Sequence, residues 1–107
     1  MRYFLIVLTL LSIAGKDAAA QTAEDSVKAT ISRLFEGMKK SDPNMIRSSF
    51  ADSAILQSIG PRGIENEAVA DFAASISKIA PGDADERITF DIVKIDGPLA
   101  IAWTPYQ

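Results

Sequence analysis

The first clear pattern in the sequence is an apolar stripe at helical spacing. Its members recur three or four positions apart: Val27, Ile31, Leu34, Phe35 and Met38. This spacing predicts an amphipathic helix from about Ala23 to Lys40. Thr22 is its predicted N-cap, because a threonine hydroxyl is one of the side-chain groups that accept from the free N–H groups at a helix start.

The tripeptide Ser41-Asp42-Pro43 predicts the end of this helix and the start of a second, shorter one. We expect Asp42 to cap the second helix and Pro43 to occupy its first position, where the missing N–H costs nothing. Three apolar residues of this segment are expected to face the same core: Met45, Ile46 and Phe50.

The middle of the sequence predicts one strand followed by one helix. Ala54–Ile59 has strand character, and the turn residues Gly60-Pro61-Arg62-Gly63 end it. Helical spacing returns over Glu67–Ile79 and stops at Pro81-Gly82-Asp83.

The end of the sequence, from Arg87, predicts a β-hairpin. Arg87–Ile95 alternates, with Ile88, Phe90 and Ile92 expected on one face of a half-buried strand and Thr89 and Asp91 on the other. Asp96-Gly97 predicts the turn. The apolar residues of the final strand share a face: Leu99, Ile101 and Trp103.

The position of this hairpin at the end of the sequence predicts an incomplete sheet. The final strand carries Trp103 and Tyr106, and the chain stops at Gln107. An exposed apolar edge strand invites association, so we expect the chain to be truncated or completed by a partner.

Residues 1–20 have the pattern of a secretory signal peptide. Arg2 precedes the apolar run Tyr3–Ala14, and the small residues Ala18-Ala19-Ala20 precede Gln21. We therefore predict cleavage near Ala20-Gln21, an exported (periplasmic or extracellular) protein, and a single domain over residues 21–107. An uncleaved N-terminal anchor is the alternative, although the apolar run is short for a membrane span.

Composition narrows the possible partners. The chain carries 11 Lys and Arg against 14 Asp and Glu, which works against binding nucleic acid and, after cleavage of the signal, against anionic membranes. It has no cysteine, so no disulfide stabilises the small exported domain. It has no histidine, so the commonest general base and zinc ligand are both missing. We predict no metal and no cofactor.

The order of these segments resembles the nuclear transport factor 2-like superfamily, which includes the SnoaL-like and lumazine-binding groups. The resemblance is carried by the runs ISRLFEGMKKSDPNMIRSSFADSAIL and ERITFDIVKIDGPLAIAWTPY and by their spacing. It implies an α+β fold in which N-terminal helices pack on a curved, mainly antiparallel sheet to form a cone. Members of the superfamily usually continue with another hairpin, so the resemblance also implies a cone that is incomplete at the C-terminus.

The resemblance does not carry over a catalytic site. An isomerase of this superfamily needs a tyrosine on the first helix and a dehydratase needs histidines, and neither is present. Asp91 is the best remaining acid, but alternation places it on the solvent face. We expect Asp52 to bond its own backbone at a turn. Glu86-Arg87 is expected to contribute at most a weak cross-strand ion pair. An acidic loop, Asp83 to Glu86, is expected to be solvated. No catalytic residue is predicted.

The large apolar side chains are the candidate ligand contacts. In a cone, core residues also line the cavity, which predicts these ligand-binding residues: Phe35, Met38, Phe50, Leu56, Phe72 and Trp103. Trp103 and Tyr106 fit three roles, namely sheet packing, a subunit interface and a ligand wall.

Three functions are compatible with these residues and with the resemblance. The first is an exported domain that binds a small apolar or aromatic molecule without catalysing a reaction. The second is an enzyme of the isomerase, dehydratase or cyclase kind, whose catalytic groups lie partly in missing strands. The third is a dimerisation or assembly module, with a homodimer formed through the sheet.

Overall fold

The computed structural model describes the backbone of residues 2–107 and the side chains of residues 19–107. Its elements follow in the order α1 (Arg2–Lys40), α2 (Pro43–Ser48), β1 (Ile55–Gly60), β2 (Gly63–Ala68), α3 (Val69–Ser77), β3 (Ile92–Asp96) and β4 (Leu99–Trp103). Among the described residues, β1 pairs with β2 and β3 with β4, as two separate antiparallel sheets. The predicted α+β class is confirmed.

The chain divides into two compact units. One contains the chain up to Ala29 together with Thr89–Pro105, and the other contains Thr30–Ile88 with Tyr106 and Gln107. The first unit therefore holds the β3–β4 hairpin. The second holds the β1–β2 hairpin and the helices α2 and α3.

Helix α1 begins earlier than the sequence predicts. It starts at Arg2, so Thr22 lies inside the helix and the prediction that it is the N-cap is wrong. Ser26 Oγ donates to the Thr22 carbonyl at 2.9 Å, a contact made within a continuing helix. The alanines before Gln21 are strong helix formers, which explains why no break occurs there.

The predicted signal peptide falls largely outside the described side chains, which begin at residue 19. Its cleavage and the export of the protein therefore stay predictions. In the part of the chain that the structure describes, no helix combines the length and the hydropathy needed to cross a bilayer.

Helix α1 ends in a Schellman motif built on a serine. Ser41 has a φ of 54°, the left-handed conformation that glycine usually supplies at this position. The Asp42 N–H donates to the Gly37 carbonyl at 2.9 Å and the Ser41 N–H to the Met38 carbonyl at 3.1 Å. Ser41 Oγ donates to the Ile79 carbonyl at 2.6 Å, which ties this helix end to the segment after α3.

Helix α2 begins as the sequence predicts. Asp42 Oδ1 accepts from the backbone N–H groups of Asn44 and Met45, each at 3.1 Å, and Pro43 is the first helical residue. The carboxylate therefore satisfies two of the N–H groups that a helix start leaves without partners.

Strand β2 replaces the first part of a predicted helix. The segment Gly63–Ala68 pairs with β1, and α3 begins at Val69 rather than Glu67. The loop Pro61-Arg62 closes the hairpin with Gly63 at a φ of 104°. The sequence of β2, Gly-Ile-Glu-Asn-Glu-Ala, has no apolar alternation by which the strand could have been predicted. All six of its residues are exposed.

The core of the second unit is formed by three helices. Its buried side chains are Met38, Ile46, Ala73 and Ile76, one from α1, one from α2 and two from α3. Ile46 is fully buried, at 0 % exposed. It can approach α1 closely because Gly37 has no side chain: a Cβ there would lie 3.1 Å from both Ile46 Cγ1 and the Ile46 backbone nitrogen.

A β-bulge in the C-terminal hairpin reverses the order in which side chains alternate between its two faces. The Thr89 N–H donates to Pro105 and the Asp91 N–H to Trp103, yet Ile92 is also the register partner of Trp103. Asp91 and Ile92 thus both oppose Trp103, which reverses the alternation from this point. The prediction that Ile92 shares a face with Phe90 is therefore wrong.

The two faces of this hairpin differ in exposure. Phe90 is half-buried with Lys28 Nζ 5.7 Å from its ring centroid. The opposite face is exposed over four large apolar side chains: Ile92 (46 %), Leu99 (61 %), Ile101 (61 %) and Trp103 (64 %). We call these four residues the open face. Three of them are the residues predicted to share a face of the last strand, and this prediction is confirmed.

Gly37→Ala is expected to destabilise the protein by about 1–2 kcal/mol, since overpacking costs about 1–3 kcal/mol and alanine recovers up to about 1 kcal/mol of helix propensity. Ala29→Gly at an exposed position of α1 is the control, expected to cost about 1 kcal/mol through propensity alone. Urea unfolding followed by circular dichroism measures both. A Gly37→Ala variant more stable than the parent would contradict close packing of α2 on α1.

Ser41→Ala and Ser41→Gly separate the hydrogen bond from the backbone strain. Both remove the bond to the Ile79 carbonyl, worth about 1 kcal/mol. Only glycine also removes the left-handed penalty of about 1–2 kcal/mol. We expect the alanine variant to be the less stable of the two by about 1 kcal/mol or more in thermal unfolding; equal stabilities would show that Ser41 is not held in this conformation.

Candidate functional site

Four of the six predicted ligand-binding residues come together in the second unit. Met38 is buried, and Phe35, Phe50 and Phe72 pack against the same core cluster. They belong to α1, to the turn after α2 and to α3, so three separate segments supply them. Their first role in this structure is core packing.

The other two predicted residues lie elsewhere. Leu56 is half-buried on β1 and is not part of that cluster. Trp103 is 64 % exposed on the open face, in the other compact unit. Of its three predicted roles, an interface or a ligand wall is compatible with this exposure, whereas close sheet packing is not.

A depression of about 210 Å³ adjoins the core at Phe50. It is lined by Arg47, Phe50, Ala51, Asp52, Val69 and Ala70, which come from the end of α2, the turn after it and the first turn of α3. Polar and apolar atoms contribute about equally to its lining: the ring and the small side chains supply the apolar part, and a guanidinium and a carboxylate stand at its exposed positions. A cavity of about 150 Å³ can hold benzene, so this space is sufficient for one substituted ring.

The charged groups of this depression were not found by sequence reasoning. Asp52 was expected to bond its own backbone, but within the described residues its carboxylate makes no hydrogen bond or ion pair, so that prediction is wrong. The turn is closed by backbone instead, with the Ala54 N–H donating to the Ala51 carbonyl at 3.0 Å. Arg47 likewise has no ion-pair partner in the described part of the chain. Both charges are therefore available to a ligand.

A second concavity lies on the C-terminal hairpin. It is an open groove of about 470 Å³ lined by Lys94, Ile95, Asp96, Leu99 and Ile101. It includes Leu99 and Ile101 of the open face and lies at the turn end of the hairpin, where Lys94 and Asp96 of β3 are their cross-strand neighbours.

The candidate acids are dispersed. Asp91 is exposed at the bulge, as predicted. Arg87 contacts Asp85, with 3.8 Å between Nη2 and Oδ2, and within the described residues it makes no ion pair across the strands. Within the described residues no three acidic, histidine or cysteine side chains are grouped as metal ligands would be.

Comparison of the chain with protein-family models, with curated proteins and with solved structures gave no match. The resemblance to the nuclear transport factor 2-like superfamily therefore rests on the sequence runs quoted above.

Ile46→Ala and Trp103→Ala are expected to differ sharply in stability. Ile46 is fully buried, so its truncation is expected to cost about 2–5 kcal/mol. Trp103 is mostly exposed, and its truncation in the monomer is expected to cost less than about 1 kcal/mol. Chemical unfolding at low protein concentration, followed by circular dichroism, measures both; a large loss for Trp103→Ala would place its side chain in a core.

Proposed function

We propose that this chain is an exported domain of the nuclear transport factor 2-like type that binds a small aromatic molecule and has no catalytic activity of its own. The observation that carries the proposal is the depression at Phe50, where a ring from the predicted ligand set borders a space sized for one further ring. The cone-like sheet arrangement is part of the same proposal.

The lining of this depression favours an aromatic ring that carries a polar substituent. Apolar walls with a few polar groups are typical of small-molecule sites. Arg47 offers N–H donors in a planar fork, which suits a carboxylate or phenolate oxygen. Asp52 offers acceptors to a hydroxyl or amino group. The depression is smaller than most drug-sized pockets, so it favours a molecule of about ten heavy atoms.

The dispersed acids support a binding role more than a catalytic one. Among the described residues, Asp52 is the one acid that lines the depression, and no carboxylate pair for acid and base steps is assembled there from them. Catalysis at this depression would require further catalytic groups from residues outside the described part of the chain.

Titration of the ¹⁵N-labelled chain with benzoate, phenol and indole tests the proposal. We expect saturable amide shifts confined to Arg47–Asp52 and Val69–Ala70, with dissociation constants on the order of 1 mM, as befits ligands of this size. Arg47→Gln should weaken benzoate at least threefold and leave indole unchanged, because only benzoate carries a charge for the guanidinium. Ile59→Ser, on the exposed β1, is the control and should change neither. Shifts that do not saturate, or that spread evenly over the chain, would overturn the proposal.

A further inference from the structure

The depression at Phe50 carries one charge of each sign, and neither charge is paired within the described residues. Arg47 and Asp52 are the charged residues of its lining. The ion pairs and side-chain hydrogen bonds of the described part of the chain involve neither side chain. The two side chains do not pair with each other either, so the guanidinium and the carboxylate stand apart along the lining.

Hydrogen bonds of the backbone hold both charged residues in place. The Phe50 N–H donates to the Arg47 carbonyl at 3.2 Å, and the Ala54 N–H donates to the Ala51 carbonyl at 3.0 Å. Arg47 is thus fixed in the last turn of α2, and Asp52 lies inside the turn that follows. A site whose backbone is ordered before binding loses less entropy when the ligand arrives, which matters most for a small ligand.

Positive charge is concentrated near the end of α2. Arg33 Nε, on α1, donates to Ser48 Oγ at 3.0 Å, so a second guanidinium lies next to the residue that follows Arg47. Asp52 is the negative group among the described lining residues, and it lies beyond the end of α2. We therefore expect an anionic group of a ligand to bind at Arg47 and a cationic group to bind at Asp52.

A ligand with no charge, or with only one, leaves part of this arrangement unsatisfied. A neutral ring in the depression removes water from both charges and pairs with neither, which costs free energy. An anion pairs with Arg47 but brings a like charge toward Asp52, and a cation does the reverse. A ligand that carries both charges pairs with both residues.

We propose that the ligand of this depression is a zwitterion: an aromatic ring with a carboxylate that binds Arg47 and an ammonium group that binds Asp52. This inference rests on the ligand-binding function proposed above and adds the charge state of the ligand. Phe50 supplies the apolar contact for the ring. A ring with one carboxylate and one aminomethyl group has about eleven heavy atoms, which is close to the size that the depression favours.

Ligands that differ by one charged group test the inference on the unaltered chain. The probes are meta- and para-(aminomethyl)benzoate, which place the two charges at different separations. Each is compared with the methylbenzoate that lacks the ammonium group and the methylbenzylamine that lacks the carboxylate. In amide titrations of the ¹⁵N-labelled chain at neutral pH, we expect one zwitterion to bind about three- to fivefold more tightly than both of its singly charged analogues, the range of exposed ion pairs.

Two variants assign each charge of the ligand to its residue. Asp52→Asn should weaken the zwitterion to the affinity of methylbenzoate, and it should leave methylbenzoate itself no weaker, because a repulsive charge is removed. Arg47→Gln should weaken the zwitterion to the affinity of methylbenzylamine. Asp96→Asn removes one negative charge from the exposed turn end of β3, in the other compact unit, and should change none of these affinities. Circular dichroism checks that each variant is folded.

The outcomes separate this inference from the ligand-binding proposal. Saturable shifts at the depression with equal affinities for the zwitterions and methylbenzoate would overturn the zwitterion and leave the ligand-binding proposal standing. A zwitterion advantage that persists in Asp52→Asn would also overturn it, because the ammonium group would then bind elsewhere. Shifts that fail to saturate with every probe would overturn both proposals together.

Discussion

The close approach of α1 and α2 at Gly37 is the constraint on which the second unit depends. Ile46 is fully buried, and the absence of a side chain at Gly37 lets it lie close to α1, since a Cβ there would be 3.1 Å from Ile46 Cγ1. The Schellman motif at Ser41 turns the chain directly after this contact, and its hydroxyl holds the end of α3 through Ile79. The same turn delivers Asp42 to cap α2. One short segment thus sets the relation among three helices, and a small core leaves little stability to tolerate errors there.

Local rules explain what could be predicted from the sequence. The apolar stripe of α1, the cap at Asp42 and the shared face of Leu99, Ile101 and Trp103 depend on spacing and on neighbouring residues. What could not be predicted depends on distant parts of the chain. Strand β2 exists because β1 offers it backbone partners, although its own side chains are all exposed. The bulge at Asp91 follows from a register between two strands, which no single segment encodes.

The same limit applies to the candidate site: its core residues could be predicted from local spacing, and its charged residues could not. Phe35, Met38, Phe50 and Phe72 were identified because large apolar residues at helical spacing must share a core. Arg47 and Asp52 were not identified as site residues, because they line a depression only where the first turn of α3 lies beside them, and the β1–β2 hairpin determines that position. Sequence reasoning assigned Asp52 to a turn, whereas the backbone closes that turn without it and the carboxylate is left for other contacts.

The depression at Phe50 has the chemistry of a site for a small polar molecule. It combines an aromatic ring and small side chains with opposite charges that lack protein partners among the described residues, an arrangement that orients a polar ligand. An apolar strand laid over the depression would desolvate both charges without pairing them, which costs free energy.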